Sequence, residues 1–206
     1  MILPDIAPML AERGLPAGEL HSWAVEPKLD GWRVTVLVDD AYPGGVRVRT
    51  RRGRTITDAI PGIADLAGSG RRLLLDGELV AYGGRASDFY ALGSRLGRVV
   101  PSRAVPVSFW AFDLLWLDGE VLIERSYLER RILLEELILS GSCGVVRRFS
   151  GVDTSDLLGA CAAHDLEGVV LKRLNSRYRP GRRSRDWRKV KAPGWAPVHA
   201  QRRRLP

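Results

Sequence analysis

Apolar and polar positions alternate most regularly between residues 32 and 38, where a tryptophan and three valines occupy every second position. This period of two predicts a β-strand with one well-buried face. A Pro-Gly-Gly turn at residues 43–45 follows, and the alternation resumes at residues 46–49, so the two segments are predicted to form a hairpin. The second strand places Arg47, Arg49 and Arg51 on one face, which is either a solvated edge or the wall of a groove for phosphates.

The remaining patterns predict both helices and strands. Ser126 and Glu129 form a capping box that begins an amphipathic helix extending to about residue 139. Other helices are predicted at residues 58–67, 87–96 and 154–163, and other strands at residues 72–82, 105–117, 166–174 and 187–191. Because these elements do not follow a strict βαβ rhythm, the sequence predicts an α+β fold of mostly antiparallel sheets, packed face to face with flanking helices.

Charge adds information about partners. The 206 residues include 32 Lys and Arg against 24 Asp and Glu, which gives a formal net charge of +8. Arginine carries most of the excess, and its planar guanidinium suits phosphate better than a lysine does. The composition therefore indicates a nucleic-acid partner; the alternative is a merely basic protein from an arginine-rich, high-GC genome. The length fits one compact domain.

Cysteine usage and the N-terminus exclude other classes. Cys143 and Cys161 have no CxxC spacing, and the three histidines stand apart, so neither a zinc site nor a disulfide framework is indicated. The first residues lack a basic segment followed by an apolar stretch, and the longest apolar run is interrupted by polar residues. We therefore expect no membrane insertion or secretion, and a reducing cytoplasm as the compartment.

The segment EPKLDGWR at residues 26–33 carries the strongest chemical signal. Lys28 is predicted in a turn between two strand-like runs, with Glu26, Asp30 and Arg33 beside it. Such a lysine can act as a nucleophile, provided that its surroundings allow the amine to lose its proton before it attacks phosphorus. The segment has the KxDGxR form, which on its own is weak because four common residue types recur by chance.

Five more segments follow in the remainder of the chain: TRRG at residues 50–53, DGEL at 76–79, FWAFDLL at 109–115, EGVVLK at 167–172 and WRKVK at 187–191. Together with KxDGxR, this ordered set resembles the motifs of the ATP-dependent DNA ligases. The resemblance covers roughly residues 5–191, and residues 176–191 are especially similar to the ligases of bacterial end-joining systems. It implies an ATP-grasp-like nucleotidyltransferase fold and a covalent lysyl-AMP intermediate.

The resemblance also implies roles for residues in the first two motifs. Lys28 would be the nucleophile, and Glu26 would accept a hydrogen bond from the adenine amino group. Asp30 would shape the turn. Arg33 and Arg51 would reach the ribose and phosphates of the nucleotide, and later the phosphate of a DNA nick. Arg52 is the rival of Arg51 for that role.

The later motifs supply the rest of the implied site. Glu78 would bind a ribose hydroxyl or a metal ion, Mg²⁺ or Mn²⁺, and Glu167 would be the second metal-linked carboxylate, whose position before an apolar strand demands a partner. Phe112 would stack on adenine, although core packing is an alternative for Phe112 and for Trp110, which shares its strand parity. The implied phosphate-binding cations are Arg183, Lys189 and Lys191. Lys172 has the opposite strand parity to Glu167, and its role stays open.

The domain organisation expected from this resemblance is a nucleotidyltransferase domain at residues 1–191 and a basic C-terminal tail at residues 192–206. The tail is too short for the OB-fold domain that such ligases normally carry, so we expect that domain to be absent, whether by truncation or in a naturally minimal protein. The expected substrate is nicked or broken duplex DNA, sealed in DNA repair or end joining with ATP. A separate OB-fold domain or end-joining proteins are the expected partners.

Two rival functions remain open at this point. An RNA ligase or capping enzyme shares the KxDG motif and is distinguished by its substrate. A catalytically silent DNA-binding module would keep the basic faces, but it would have no reason to keep Lys28, Glu78, Glu167 and Lys189 together.

Overall fold

The computed structural model describes residues 6–81, 92, 106–139, 141–151 and 153–195. The helix predicted at residues 87–96, apart from residue 92, and most of the basic tail lie outside these residues. Ten strands are described: β1 Leu10–Arg13, β2 Trp23–Lys28, β3 Trp32–Val38, β4 Val46–Thr50, β5 Leu73–Ala81, β6 Val107–Leu117, β7 Glu120–Val121, β8 Cys143–Val145, β9 Gly168–Arg173 and β10 Arg183–Lys191. The α-helices are α1 Tyr127–Glu135 and α2 Thr154–Ala163, and short 3-10 helices span Leu20–Ser22, Thr57–Ala59 and Pro61–Ser69.

The strands form two sheets. One has four strands in the order β1-β10-β9-β2, and the other has six, in the order β4-β3-β5-β6-β7 with β8 beside β6. All neighbouring strands pair antiparallel except β1 with β10 and β8 with β6. In the described residues, the architecture is therefore the mixed fold of largely antiparallel sheets and few helices that the sequence predicted.

Apolar residues pack on both faces of the six-stranded sheet. Val34, Val36 and Val38 of β3 belong to the largest core cluster, which includes residues of the 3-10 segment and of α1. Leu37 on the opposite face packs with Trp187 of β10, in a second cluster that joins the two sheets. The strand predicted to have one buried face thus buries residues of both faces, because the four-stranded sheet covers the second one.

Several element boundaries differ from the sequence prediction. The helix expected at residues 58–67 is a pair of 3-10 helices, and the capping-box helix ends at Glu135. The capping box itself is confirmed: the Ser126 hydroxyl accepts from the Glu129 backbone N–H, and the Glu129 carboxylate accepts from the Ser126 backbone N–H at 2.8 Å. Lys28 is the last residue of β2 and not part of the turn.

Candidate active site

A cleft of about 210 Å³ brings residues of the two sheets together. The four-stranded sheet contributes Lys28 at the end of β2 and Lys189 on β10, and the six-stranded sheet contributes Glu78 on β5. Seven of the sequence-predicted site residues line it: Lys28, Arg33, Arg51, Glu78, Phe112, Arg183 and Lys189. Motifs that are far apart in the chain therefore meet at one place.

The Lys28 amine contacts the Glu167 carboxylate directly. Strand pairing creates this contact, since Lys28 of β2 lies opposite Gly168 of β9, and Glu167 precedes that glycine. The side chain of Glu167 is 10% exposed and that of Lys28 is 22% exposed. The carboxylate thus has the partner that its burial requires, and that partner is the predicted nucleophile.

Glu78 is partly buried and lies near enough to Lys28 to interact with its charge. Burial raises the pKa of the Glu78 carboxyl to about 7, against the opposing charges of Lys28 and Arg33. The neighbouring carboxylates Asp76 and Asp30 raise it further. Near neutral pH this group is therefore close to half ionised, and a cation arriving beside it would favour the carboxylate form.

Arg33 is held by a buried carboxylate. Its guanidinium donates to both oxygens of Asp76, at 2.9 and 2.6 Å, and the Tyr178 hydroxyl donates to the same carboxylate at 2.6 Å. The Met9 backbone N–H donates to that hydroxyl at 3.0 Å. The pKa of Arg33 is raised by Asp76, even though burial lowers it. Arg33 is thus a cation that lines the cleft and is held in position by Asp76 and, through Asp76, by Tyr178.

Phe112 occupies a β-bulge. Gly77 of β5 pairs with Ala111 while the preceding Asp76 pairs with Asp113, which leaves Phe112 as the extra residue of β6. Its ring lines the cleft, with the Arg33 guanidinium 5.1 Å from the ring centroid. Trp110 is 38% exposed and lies against Gly144, and it is not one of the cleft residues. Of the two aromatic residues, Phe112 is the one placed to stack on a ligand in the cleft.

Basic residues surround the cleft on the β10 side. The pKa of Lys189 is lowered, first by burial and then by the nearby cations Lys28 and Arg183. The Lys191 amine is 3.9 Å from a Glu167 oxygen and 3.6 Å from the centroid of the Trp195 ring, and Lys191 is not a lining residue. This concentration of positive charge is suited to a polyphosphate.

The three arginines predicted to share one face of β4 do not all reach the cleft. Arg51 follows the strand and lines the cleft, and its backbone N–H donates to the Arg33 carbonyl at 3.1 Å. The Arg47 guanidinium lies 5.1 Å from the Tyr42 ring centroid, and Arg49 donates to the Gly53 carbonyl at 3.1 and 3.2 Å. Of the three arginines, Arg51 is therefore the one that the fold directs to the cleft.

Glu26 lies behind the cleft and does not line it. Its carboxylate accepts hydrogen bonds from the Tyr127 hydroxyl and from Lys172, whose amine is 2.7 Å away, and Arg131 is 3.6 Å from it. Sequence reasoning missed Tyr127 and Arg131, because nothing in the helix pattern marks them as neighbours of Glu26. Its adenine contact stays a prediction.

A metal ion would find two of its predicted ligands near each other, since Glu78 and Glu167 both lie beside Lys28. Within the described residues, no group of three or more His, Cys, Asp or Glu side chains is arranged to hold a metal ion. Mg²⁺ is commonly bound by one or two carboxylates together with waters and substrate phosphates. The site therefore fits a metal that arrives with a nucleotide better than a resident one.

Comparisons with known proteins show the family to which the chain belongs. A model of the ATP dependent DNA ligase domain matches residues 8–191. The chain belongs to this ligase family. The multifunctional non-homologous end joining DNA repair protein LigD of Mycobacterium tuberculosis (H37Rv) is 39% identical over 190 residues, which cover 91% of this chain and 24% of LigD. A probable DNA ligase of Streptomyces coelicolor is 37% identical over 212 residues, which cover 96% of this chain and 40% of that protein.

Solved structures show that these ligases share the fold. A mycobacterial DNA ligase D complexed with ATP and MES superposes with a TM-score of 0.77 at 38% identity, over 93% of this chain and 61% of that one. The ligase domain of M. tuberculosis LigD gives a TM-score of 0.75 at 38% identity, over 90% of this chain and 59% of that one. The chain thus spans about a quarter of the LigD protein and about three fifths of these ligase structures.

Proposed function

We propose that this chain is an adenylation domain that forms lysyl-AMP at Lys28 and passes AMP to the 5'-phosphate of a DNA nick. The observation that carries the proposal is the position of Lys28, which shares one cleft with Phe112 and Lys189. A nucleophilic amine, an aromatic surface for adenine and cations for phosphates are the three parts that the reaction needs.

The proposed first step exchanges one bond to phosphorus for another. The Lys28 Nζ attacks the α-phosphorus of ATP, a P–N bond forms, and the bond from that phosphorus to the oxygen bridging to the β-phosphate breaks, which releases pyrophosphate. The Glu167 carboxylate contacts the amine. The amine releases its proton to solvent before the attack, since the Lys28 side chain is 22% exposed. Lys189 and Arg183 line the same cleft and offset the charge on the phosphates.

The proposed cofactor is Mg²⁺ or Mn²⁺, held by Glu78 and Glu167 together with the phosphates. A bound metal supplies positive charge against the leaving pyrophosphate. Both carboxylates must be ionised to hold it. For Glu78 this means loss of the proton that burial favours.

In the second and third steps, AMP moves to a 5'-phosphate, and the adjacent 3'-hydroxyl displaces it to form a phosphodiester. The proposed substrate is nicked or broken duplex DNA in repair or end joining, as the names of the LigD relatives suggest. Among the described residues, no helix is long and apolar enough to cross a membrane. A bacterial DNA substrate and ATP would both be met in the cytoplasm. A separate OB-fold domain or end-joining proteins are the proposed partners.

The deciding experiment is incubation of the protein with ATP labelled on the α-phosphate, followed by denaturing electrophoresis. We expect acid-labile label on the parent chain and none on Lys28→Ala or Lys28→Arg, because arginine stays protonated and is not a nucleophile. Label that persists on both variants would overturn Lys28 as the nucleophile. A comparison of nicked DNA with RNA ends, and of ATP with GTP, separates a DNA ligase from an RNA ligase or a capping enzyme.

A further inference from the structure

Trp110 is a large aromatic side chain that is exposed beside the cleft. Among the described residues, four large hydrophobic side chains are exposed, and Trp110 is the aromatic one, with 38% of its surface accessible. An indole ring offers a partner a large, flat and apolar contact surface, and tryptophan is accordingly enriched where proteins bind other molecules. The position of this ring in the sheet indicates which partner it can meet.

Strand pairing places Trp110 on the same face of the six-stranded sheet as two residues of the cleft. Arg33 of β3 lies opposite Glu78 of β5, and Glu78 lies opposite Trp110 of β6. Residues that lie directly opposite each other project to the same face, and both Arg33 and Glu78 line the cleft. The next pair, Leu79 and Phe109, projects to the other face and is buried in the main core. Trp110 therefore lies one strand beyond the cleft lining, on the cleft side of the sheet.

A glycine continues this row on the next strand. Gly144 of β8 lies opposite Trp110. A Cβ at Gly144 would lie 2.9, 3.1 and 3.3 Å from three atoms of the six-membered ring of the indole. The ring thus rests on the β8 backbone at a place where a larger side chain would displace it. Val146, which follows β8, lines the cleft, so the indole lies beside the cleft with part of its surface open to solvent.

The proposed reaction brings DNA to this border of the cleft. The cleft of about 210 Å³ is the proposed site of the nucleotide on Lys28. The DNA that receives AMP must bring its 5'-phosphate to that nucleotide, so the residues of DNA beside the nick have to lie against the surfaces around the cleft. Arg33 and Arg51 line the cleft and attract the phosphodiester backbone. The exposed indole offers a surface to a base, because every base has a flat face that stacks on an aromatic ring.

We propose that the exposed face of Trp110 is a stacking site for the terminal base of the DNA strand at a nick or break. The inference rests on the proposed function, because it assumes that DNA reaches the cleft. A terminal base has no covalent neighbour on one side, so a bend of the duplex at the nick uncovers that face of the base. Stacking contacts no base edge and is therefore tolerant of sequence, which suits an enzyme that seals ends of any sequence. Trp110 has no part in the transfer of AMP to Lys28.

The test separates DNA binding from self-adenylation in the full 206-residue chain. We expect Trp110→Ala to form lysyl-AMP from α-labelled ATP at the parental rate, which also shows that the variant is folded. Its dissociation constant for a phosphorylated nicked duplex should rise by about 5- to 150-fold, the range for loss of one stacked base. Trp110→Phe keeps a flat ring and should retain most of the affinity. Leu15→Ala is the matched control, since Leu15 is 51% exposed and does not line the cleft, and it should bind DNA as the parent does.

A second measurement locates the base. The fluorescence of 2-aminopurine, an adenine analogue, depends on what its ring stacks against. The analogue is placed at the 3'-hydroxyl terminus of the nick in one duplex, at the 5'-phosphate terminus in another, and within the continuous part of the duplex in a third. We expect the parent and Trp110→Ala to give different emission at one of the two termini and the same emission at the interior position.

A further variant keeps the inference testable if Trp110→Ala does not fold. Trp110→Leu covers Gly144 with an apolar side chain that has no flat ring, and we expect the same loss of DNA affinity. Parental affinity in either folded variant, or equal emission of parent and variant at both termini, would overturn the inference. So would a loss of lysyl-AMP formation as large as the loss of DNA affinity. Absence of label on the parent chain would instead overturn the proposed function, so the two failures are distinguishable.

Discussion

The Glu78 carboxyl shows how strongly the fold alters a single residue. Burial raises its pKa to about 7 even though Lys28 and Arg33 are close. The unfolded chain ionises this group near its ordinary value of 4.5. Between these two values the folded protein keeps a proton that the unfolded chain loses, so this residue lowers the stability progressively as the pH rises. Above about pH 7 the Glu78 carboxyl is ionised in both the folded and the unfolded chain, so the stability lost through this residue no longer changes with pH.

We predict that Glu78→Gln removes this pH dependence. The variant should gain stability relative to the parent as the pH rises from 4.5 to about 7, and the difference should level off above that. Thermal melting of both proteins across pH 4 to 8 measures it, with the difference between the two curves cancelling the other titrating groups. A difference that is constant across this range would show that Glu78 has an ordinary pKa.

Individual site residues were predictable from the sequence to different extents. The sequence predicted that Glu167 needs a partner, because its charge precedes an apolar strand. It did not identify Lys28 as that partner, because their contact depends on the pairing of β2 with β9. Glu26 was expected at the adenine edge, and the three polar partners that the structure places around it were not expected. Those partners come from α1 and β9, and no local pattern in the sequence reports such a tertiary contact.

Among the elements, the regular ones were predictable and the short or irregular ones were not. The bounds of β3 and α2 match their patterns, because alternation and apolar spacing persist over seven and ten residues. The strands β1 and β8 have four and three residues, which is too few for a period to be recognised. The bulge at Phe112 arises from a register shift between β5 and β6, which only the paired strands reveal.

Gly168 explains why the EGVVLK motif contains a glycine. Its φ is +145°, and a Cβ at this position would lie 2.1 Å from the Val190 carbonyl oxygen. This close approach joins β9 to β10, beside the contact between Glu167 and Lys28. The glycine thus lets three strands of the four-stranded sheet approach each other beside Lys28, the proposed nucleophile.

We predict that Gly168→Ala destabilises the protein by about 1–3 kcal/mol, the range for a residue forced into a strained backbone conformation, and slows lysyl-AMP formation as the strands separate. Gly159→Ala is the matched control. Gly159 lies in α2 with nothing within 4 Å of an added Cβ, so alanine there should be neutral or stabilising by up to about 1 kcal/mol. Chemical denaturation measures the stability of the two variants, and labelling with ATP that carries the label on its α-phosphate measures the rate of lysyl-AMP formation. Equal stability of the two variants would contradict the role given to Gly168.

At the scale of the whole molecule, both sheets supply residues that line the cleft. Lys28, Lys189 and Arg183 come from the four-stranded sheet, and the six-stranded sheet supplies Arg33, Glu78 and Phe112. The second apolar cluster fixes the two sheets against each other. The proposed nucleotide site thus depends on how the two sheets pack, so the order of the motifs in the sequence could indicate its residues but not the distances between them.

The net charge of +8 belongs to the whole chain, but its effect on DNA depends on where the cations lie. Arg51 is an exposed lining residue of the cleft, so we predict that it contacts a phosphate beside the nick. Each such contact releases counterions, and the logarithm of the binding constant then falls steeply with the logarithm of the salt concentration. Arg51→Ala should therefore weaken binding of nicked DNA and reduce that slope by about one.

The measurement is a salt titration of binding to a labelled nicked duplex, followed by fluorescence anisotropy, with Arg71→Ala as the control. Arg71 is also exposed, but it pairs with Asp118 at 2.6 Å and lies outside the cleft lining. Its removal takes away one positive charge from the molecule, as the removal of Arg51 does. If the slope depends on net charge alone, the two variants will behave alike. If it depends on contact with phosphate in the cleft, Arg51→Ala will lower the slope and Arg71→Ala will leave it at the parent value.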